Sequence, residues 1–89
     1  MKLHQSARKH FARDQLTEAG VIRAVEEAVF TAPLEDEDDP RRWLLLGFDD
    51  AARLLELVIL IFDSGEELVV HAMKARPHYL NLLPPRDRT

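Results

Sequence analysis

The chain contains no cysteine, and that absence removes disulfides, thiolate metal sites and a cysteine nucleophile together. It also has no long apolar run. The longest, Leu57–Phe62, falls far short of the roughly 20 residues that span a bilayer. No basic stretch followed by an apolar one opens the sequence, so no secretory signal, no membrane partner and a cytoplasmic location are expected. The P-loop, the Rossmann fingerprint, HExxH and zinc-finger spacings are all missing. Four histidines are present, His4, His10, His71 and His78, but none shares an i, i+4 helical spacing with another. Neither a metal nor a cofactor is expected. Leu34–Pro40 is strongly acidic, yet it lacks the glycine and spaced ligands of an EF-hand loop, so it reads as a solvated connector. Ser6 and Ser64 have no nucleophile context.

What remains is globular in character: 46% apolar residues with 31% charged ones, on a chain long enough for one small core. A single domain is expected over residues 1–85, with a mobile tail at 86–89. The net charge of −4 hides a division. Residues 1–14 and 68–89 each carry a net +3, and the stretch between them carries −10. Two readings of this are open. Either the basic ends meet and form one surface fit for a phosphate backbone, or they are solvated apart.

Periodicity predicts an α+β fold. Residues 2–4 form a short edge strand, and Leu3, Ala7 and Phe11 repeat every four residues, predicting one helix over residues 5–13. Thr17 is an N-cap ahead of Glu18, with Leu16 placed to staple the start, which predicts a second helix from Thr17 to Phe30. Ala32-Pro33 would end it. Three strands follow, Arg42–Phe48, Arg53–Phe62 and Glu67–Met73, joined by short turns as an antiparallel meander. The expected sheet is antiparallel with three to four strands. Both faces of the middle strand are apolar, so helices, a partner or both should cover the sheet. With Ser64-Gly65 as a two-residue turn, His71 falls opposite Val58 and Met73 opposite Glu56, and a diagonal contact between Glu56 and His71 becomes possible. A slip of one residue would send every side chain to the other face. Pro77 opens a short closing helix that Pro84-Pro85 stop.

The chemistry gathers near the end of the last strand, where His71, Lys74, Arg76, His78 and Tyr79 lie within nine residues. RNA can be cleaved without metal by a base for the 2′-hydroxyl, an acid for the leaving oxygen and a cation for the phosphorane. Histidine suits both proton roles, and arginine and lysine suit phosphate. Each residue also has a plain structural reading. His71 can be a satisfied core histidine, Tyr79 a core aromatic, Arg76 the partner of Glu56, and Lys74 a solvated strand end.

The early His4-Gln-Ser-Ala-Arg-Lys-His10, the Arg42-Trp43 strand, Leu54–Val58, and the closing His71-Ala-Met-Lys-Ala-Arg-Pro-His-Tyr79 together resemble the BrnT-like toxins and related small actinobacterial proteins of RelE-like fold. That resemblance covers nearly the whole chain. It implies a toxin component that cleaves messenger RNA, a cognate antitoxin capping its basic site, and a functional arginine at Arg76. On this reading His71 or His78 is acid or base, Arg76 and Lys74 hold phosphate, and His4, Arg8, Lys9 and Tyr79 assist in binding RNA. The chain departs from the strongly basic ribosome-dependent nucleases in its sequence pI near 5.5. Two rivals stand beside it: a non-catalytic module binding a partner through its sheet face, and a homodimer paired by edge strands.

Overall fold

The computed structural model describes residues 1–34 and 39–83. Most of the acidic connector, the Pro84-Pro85 stop and the expected tail at 86–89 lie outside the described residues. The fold is α+β. Its sheet has five strands, β1 (Lys2–Leu3), β2 (Phe30–Pro33), β3 (Arg41–Phe48), β4 (Leu54–Ile61) and β5 (Glu67–Lys74), in the order β1-β5-β4-β3-β2. The β3-β4-β5 meander is antiparallel, as expected. The sheet as a whole is mixed, however, because β1 runs parallel to β5, with Leu3 opposite Val69.

The expected single helix over residues 5–13 is two shorter pieces, a 3-10 helix at Gln5–Arg8 and α1 at Phe11–Asp14. His10 between them is non-helical, and Gln15 closes α1 in the left-handed region. Thr17 does cap α2 (Glu18–Glu26), its side chain accepting from Gly20 N, and Leu16 is buried. The helix stops four residues before Phe30. Val29 N donates to Leu46 O and leads into β2, whose first residue, Phe30, the expected helix included. Phe30 and Thr31 favour extended backbone, and an open edge of β3 stood ready to satisfy their amides. Pro33 is tolerable there because β2 is itself an edge.

Alternation divides the sheet faces. Leu45, Leu55, Leu57, Ile59, Val69 and Ala72 point toward α2 and the N-terminal segment, where they join Ala7, Leu16, Val21, Ala24 and Val25 in the core. Gly47 lets α2 approach β3, since a Cβ there would collide with the Ala24 carbonyl oxygen. The opposite, outer face carries Leu44 and Leu46, which are buried, and Val58 and Leu60, which are half-buried. Glu56 lies on this face, opposite both Leu46 and Met73. The closing helix over Pro77–Leu82 is a 3-10 helix with Pro77 in its first turn, as expected of proline.

The β4–β5 turn differs from the expected one, with a consequence for the site. Phe62 N donates to Glu66 O and Gly65 N to Phe62 O, so three residues, Asp63-Ser-Gly65, form the loop, with Gly65 at positive φ. That shifts the pairing by one near the turn, Ile59 meeting Val69. A bulge at Val70 then restores the expected register, with Val58 opposite His71 and Glu56 opposite Met73.

Candidate functional site

A bulge places two consecutive side chains of one strand on the same side. Val69 and Ala72 both point into the core, so Val70 and His71 between them both face outward. Each then lines an open depression of about 370 Å³ shared with Arg42, Glu56, Val58, Arg76 and Tyr79. The N-terminal segment seats the bulge. His4 N donates to Val69 O at 2.8 Å, and the Ser6 hydroxyl donates to Val70 O at 2.8 Å.

Glu56 forms the floor. It is 1% exposed and accepts from four donors: Arg76 N and Nε on Oε1, each at 3.0 Å, and Arg76 Nη2 (2.9 Å) and His71 Nε2 (3.0 Å) on Oε2. Burial alone would raise its carboxyl. The Arg76 side-chain and backbone bonds, with the His71 bond, outweigh that and leave it below the ordinary value. An ionised carboxylate only accepts, so His71 Nε2 carries a proton and Nδ1 is the nitrogen left to face a substrate. Arg76 spends two of its five N–H groups on Glu56 and lies over the Tyr79 ring, 5.7 Å from its centroid. His78 packs on Tyr79 with ring centroids 4.1 Å apart. Among the described residues no buried side-chain polar atom lacks a hydrogen-bond partner.

No family model, curated protein or solved structure matches this chain. Its site must therefore be read from its own geometry.

Of the candidate residues, the fold brings His71, Arg76 and Tyr79 together, with His78 beside Tyr79. Lys74 pairs with Leu55 and so takes the core side of the sheet edge, where its backbone N–H donates to Asp14 Oδ2 at 3.0 Å. His4 caps the first 3-10 helix, its Nδ1 accepting from Ser6 N. Arg8 is ion-paired to Glu18 at 2.8 Å and lies over Phe11. Lys9 follows on the same exposed segment. The basic N-terminus does meet β5, but Arg8, Arg13 and Arg76 each face an acid there or nearby.

Four further residues belong to the site. Glu56 was visible as the lone charge within an apolar strand. Arg42 follows from alternation, since Trp43 beside it packs on the core and Arg42 must face outward with Leu60. Ser6 and His10 fall within the early His4–His10 stretch, but nothing in the sequence singles them out for the site. They reach β5 only because β1 pairs with it in parallel. His10 meets His71 edge to face, ring centroids 6.1 Å apart and planes at 81°. No group of three or more His, Cys, Asp and Glu among the described residues is arranged to hold a metal ion.

Proposed function

We propose that this chain is a metal-independent endoribonuclease acting on messenger RNA, the RelE- and BrnT-like toxin of a toxin–antitoxin pair, working in the cytoplasm. The observation that carries the reading is the buried Glu56 carboxylate, which holds His71 and Arg76 together at an open depression. Oriented imidazole and guanidinium are what a phosphodiester needs when no metal is present: His71 Nδ1 exchanges protons, and the Arg76 donors not used by Glu56 meet phosphate oxygens. Arg42 adds a second cation on the same face. Tyr79, with His78 against it, offers an aromatic surface for an unstacked base. Lys74, Arg8 and Lys9 act through the local field rather than by contact.

A second reading has its own support. Leu80 and Leu82 are 54% and 41% exposed, and the outer sheet face carries the half-buried Val58, Leu60 and Val70. A non-catalytic module could bind a partner protein across this face. Under the first reading the antitoxin takes the same face and closes the depression.

Induction of the protein alone in a bacterial host separates the two. Growth arrest with new RNA ends, both lost in His71→Asn, is the expected result. Soluble, folded wild-type protein that leaves growth and RNA intact would remove the nuclease reading in favour of the module. No helix among the described residues is long and apolar enough to cross a membrane.

A further inference from the structure

We propose that His10 is the second proton-transfer group of this site, paired with His71 in cleaving RNA through its own 2′-hydroxyl. The proposal rests on the ribonuclease reading above and assigns the half of the chemistry that His71 alone cannot perform.

Three observations converge on His10. Its ring stands 6.1 Å from that of His71. At such a separation both imidazoles can reach one phosphoryl group, each over a hydrogen-bond length of about 3 Å. Second, His10 sits at the N-cap of α1, yet its side chain makes no capping bond. The imidazole is half-buried without serving the helix. Third, the segment is pinned to β5 on both sides of His10. Ser6 holds the Val70 carbonyl, and Asp14 accepts from Lys74 N. A side chain between two such anchors keeps its distance to His71.

The charged neighbours decide which histidine does what. Partial burial is the first influence on His10, followed by Arg13, His71 and Lys9. All four lower it, while Asp14 pulls the other way and loses. His10 therefore stands neutral and suits the base. His71, whose Nε2 donates to Glu56, is the acid in its doubly protonated form and gives up the Nδ1 proton. In the step, His10 takes the 2′-hydroxyl proton, and that oxygen forms a bond to phosphorus. The bond from phosphorus to the 5′ oxygen breaks, and the departing oxygen takes the His71 proton. The products are a 2′,3′-cyclic phosphate and a 5′-hydroxyl, with His10 charged and His71 neutral. Proton exchange with water restores both. No oxidant, metal or co-reactant is required.

The test compares wild type, His10→Gln and His71→Asn on a set of ribodinucleotides and on the matching nucleoside 3′-nitrophenyl phosphates. The nitrophenyl leaving group departs without protonation. Loss of the acid should therefore cost about 10²–10⁴-fold on the dinucleotides and far less on the esters. Loss of the base should cost that much on both. Deoxyribose analogues should be inert. His10→Gln with wild-type rates on both substrates, or rescued by the nitrophenyl esters in place of His71→Asn, would overturn the assignment, as would cleavage of the deoxy analogues. Wild type that cleaves none of the substrates overturns the ribonuclease reading and this proposal with it. Proton NMR adds a readout independent of turnover. His10 should titrate below an ordinary histidine and move up in His71→Asn, and no movement would sink the pairing.

Discussion

His71 on β5 reaches Glu56 on the neighbouring β4, Nε2 to Oε2 at 3.0 Å, because the bulge at Val70 turns His71 onto the face that Glu56 occupies. Without the extra residue, alternation from Val69 would send His71 into the core. The contact depends on a backbone irregularity, on Glu56 being buried, and on Arg76 supplying enough donors for the carboxylate to stay ionised there.

Arg76→Ala should therefore be more than a loss of phosphate contact. It leaves Glu56 buried with only His71 for a side-chain donor, at a cost of about 1–3 kcal/mol. The guanidinium is itself 53% exposed, which keeps the loss within that range. Urea denaturation measures this directly. Adding Glu56→Leu should recover most of the loss, since no buried charge then lacks a partner. Equal instability of the single and double variants would show that the Glu56 charge is not the cause. The double variant also separates activity from folding: it should be stable and inactive.

The meander, the Thr17 cap and the opposition of Val58 to His71 were legible because they follow from apolar alternation and turn chemistry. The fold arrives at that register by a different route. The loop has three residues rather than two, and the bulge cancels the difference. No local pattern announces a bulge at Val70, whose neighbours read as an even strand. β2 was hidden for another reason, since Val25, Ala28 and Val29 continue a helical stripe that pairing with β3 overrides. The site was half legible. His71, Arg76 and Tyr79 cluster in sequence, whereas Ser6 and His10 join them only through the parallel β1–β5 pairing.

Acid should destabilise the fold through three buried carboxylates. Asp14 is held at about 2, below its ordinary 3.8, chiefly by its hydrogen bonds from Arg13 and despite burial, with help from Lys74 N–H. At Asp49 and Glu56 burial pushes upward, and the donors of Arg53 and Ala51 at one and of Arg76 and His71 at the other win. Each group is lower in the folded state, so its stabilisation is present above the ordinary carboxylate range and lost as pH falls through it toward the folded value. Thermal midpoints should hold from neutrality to about pH 5 and drop steeply below about 4. Asp14→Asn should flatten that drop and cost no more than about 2 kcal/mol at pH 7, because Arg13 is largely solvated. A midpoint that does not change between pH 5 and 3 would contradict the linkage.

Gly47→Ala tests the close approach of α2 to the sheet. The added methyl meets the Ala24 backbone, which cannot swing aside as a side chain would. Overpacking of this kind costs about 1–3 kcal/mol or more, and here the helix must lift as a body. Chemical denaturation should show a loss at the upper end of that range, with the amides of α2 exchanging faster. Wild-type stability would mean that α2 rides further from β3 than described.

Ser6→Ala should affect His71 more than it affects the fold. Its hydroxyl bond to the Val70 carbonyl lies at an exposed position, and removing it should cost no more than about 1.5 kcal/mol. Yet that bond holds the bulge that aims His71, and a displacement of roughly 1 Å at a reacting group can lower a rate by about 10²-fold. The expected outcome is a nearly unchanged melting temperature, shifted amide resonances at Val70 and His71, and RNA cleavage reduced much more than stability. Ser6→Thr keeps the hydroxyl and should restore both signals. Unchanged resonances in Ser6→Ala would show that pairing with β4 alone fixes the bulge, and the N-terminal segment would then have no part in positioning His71.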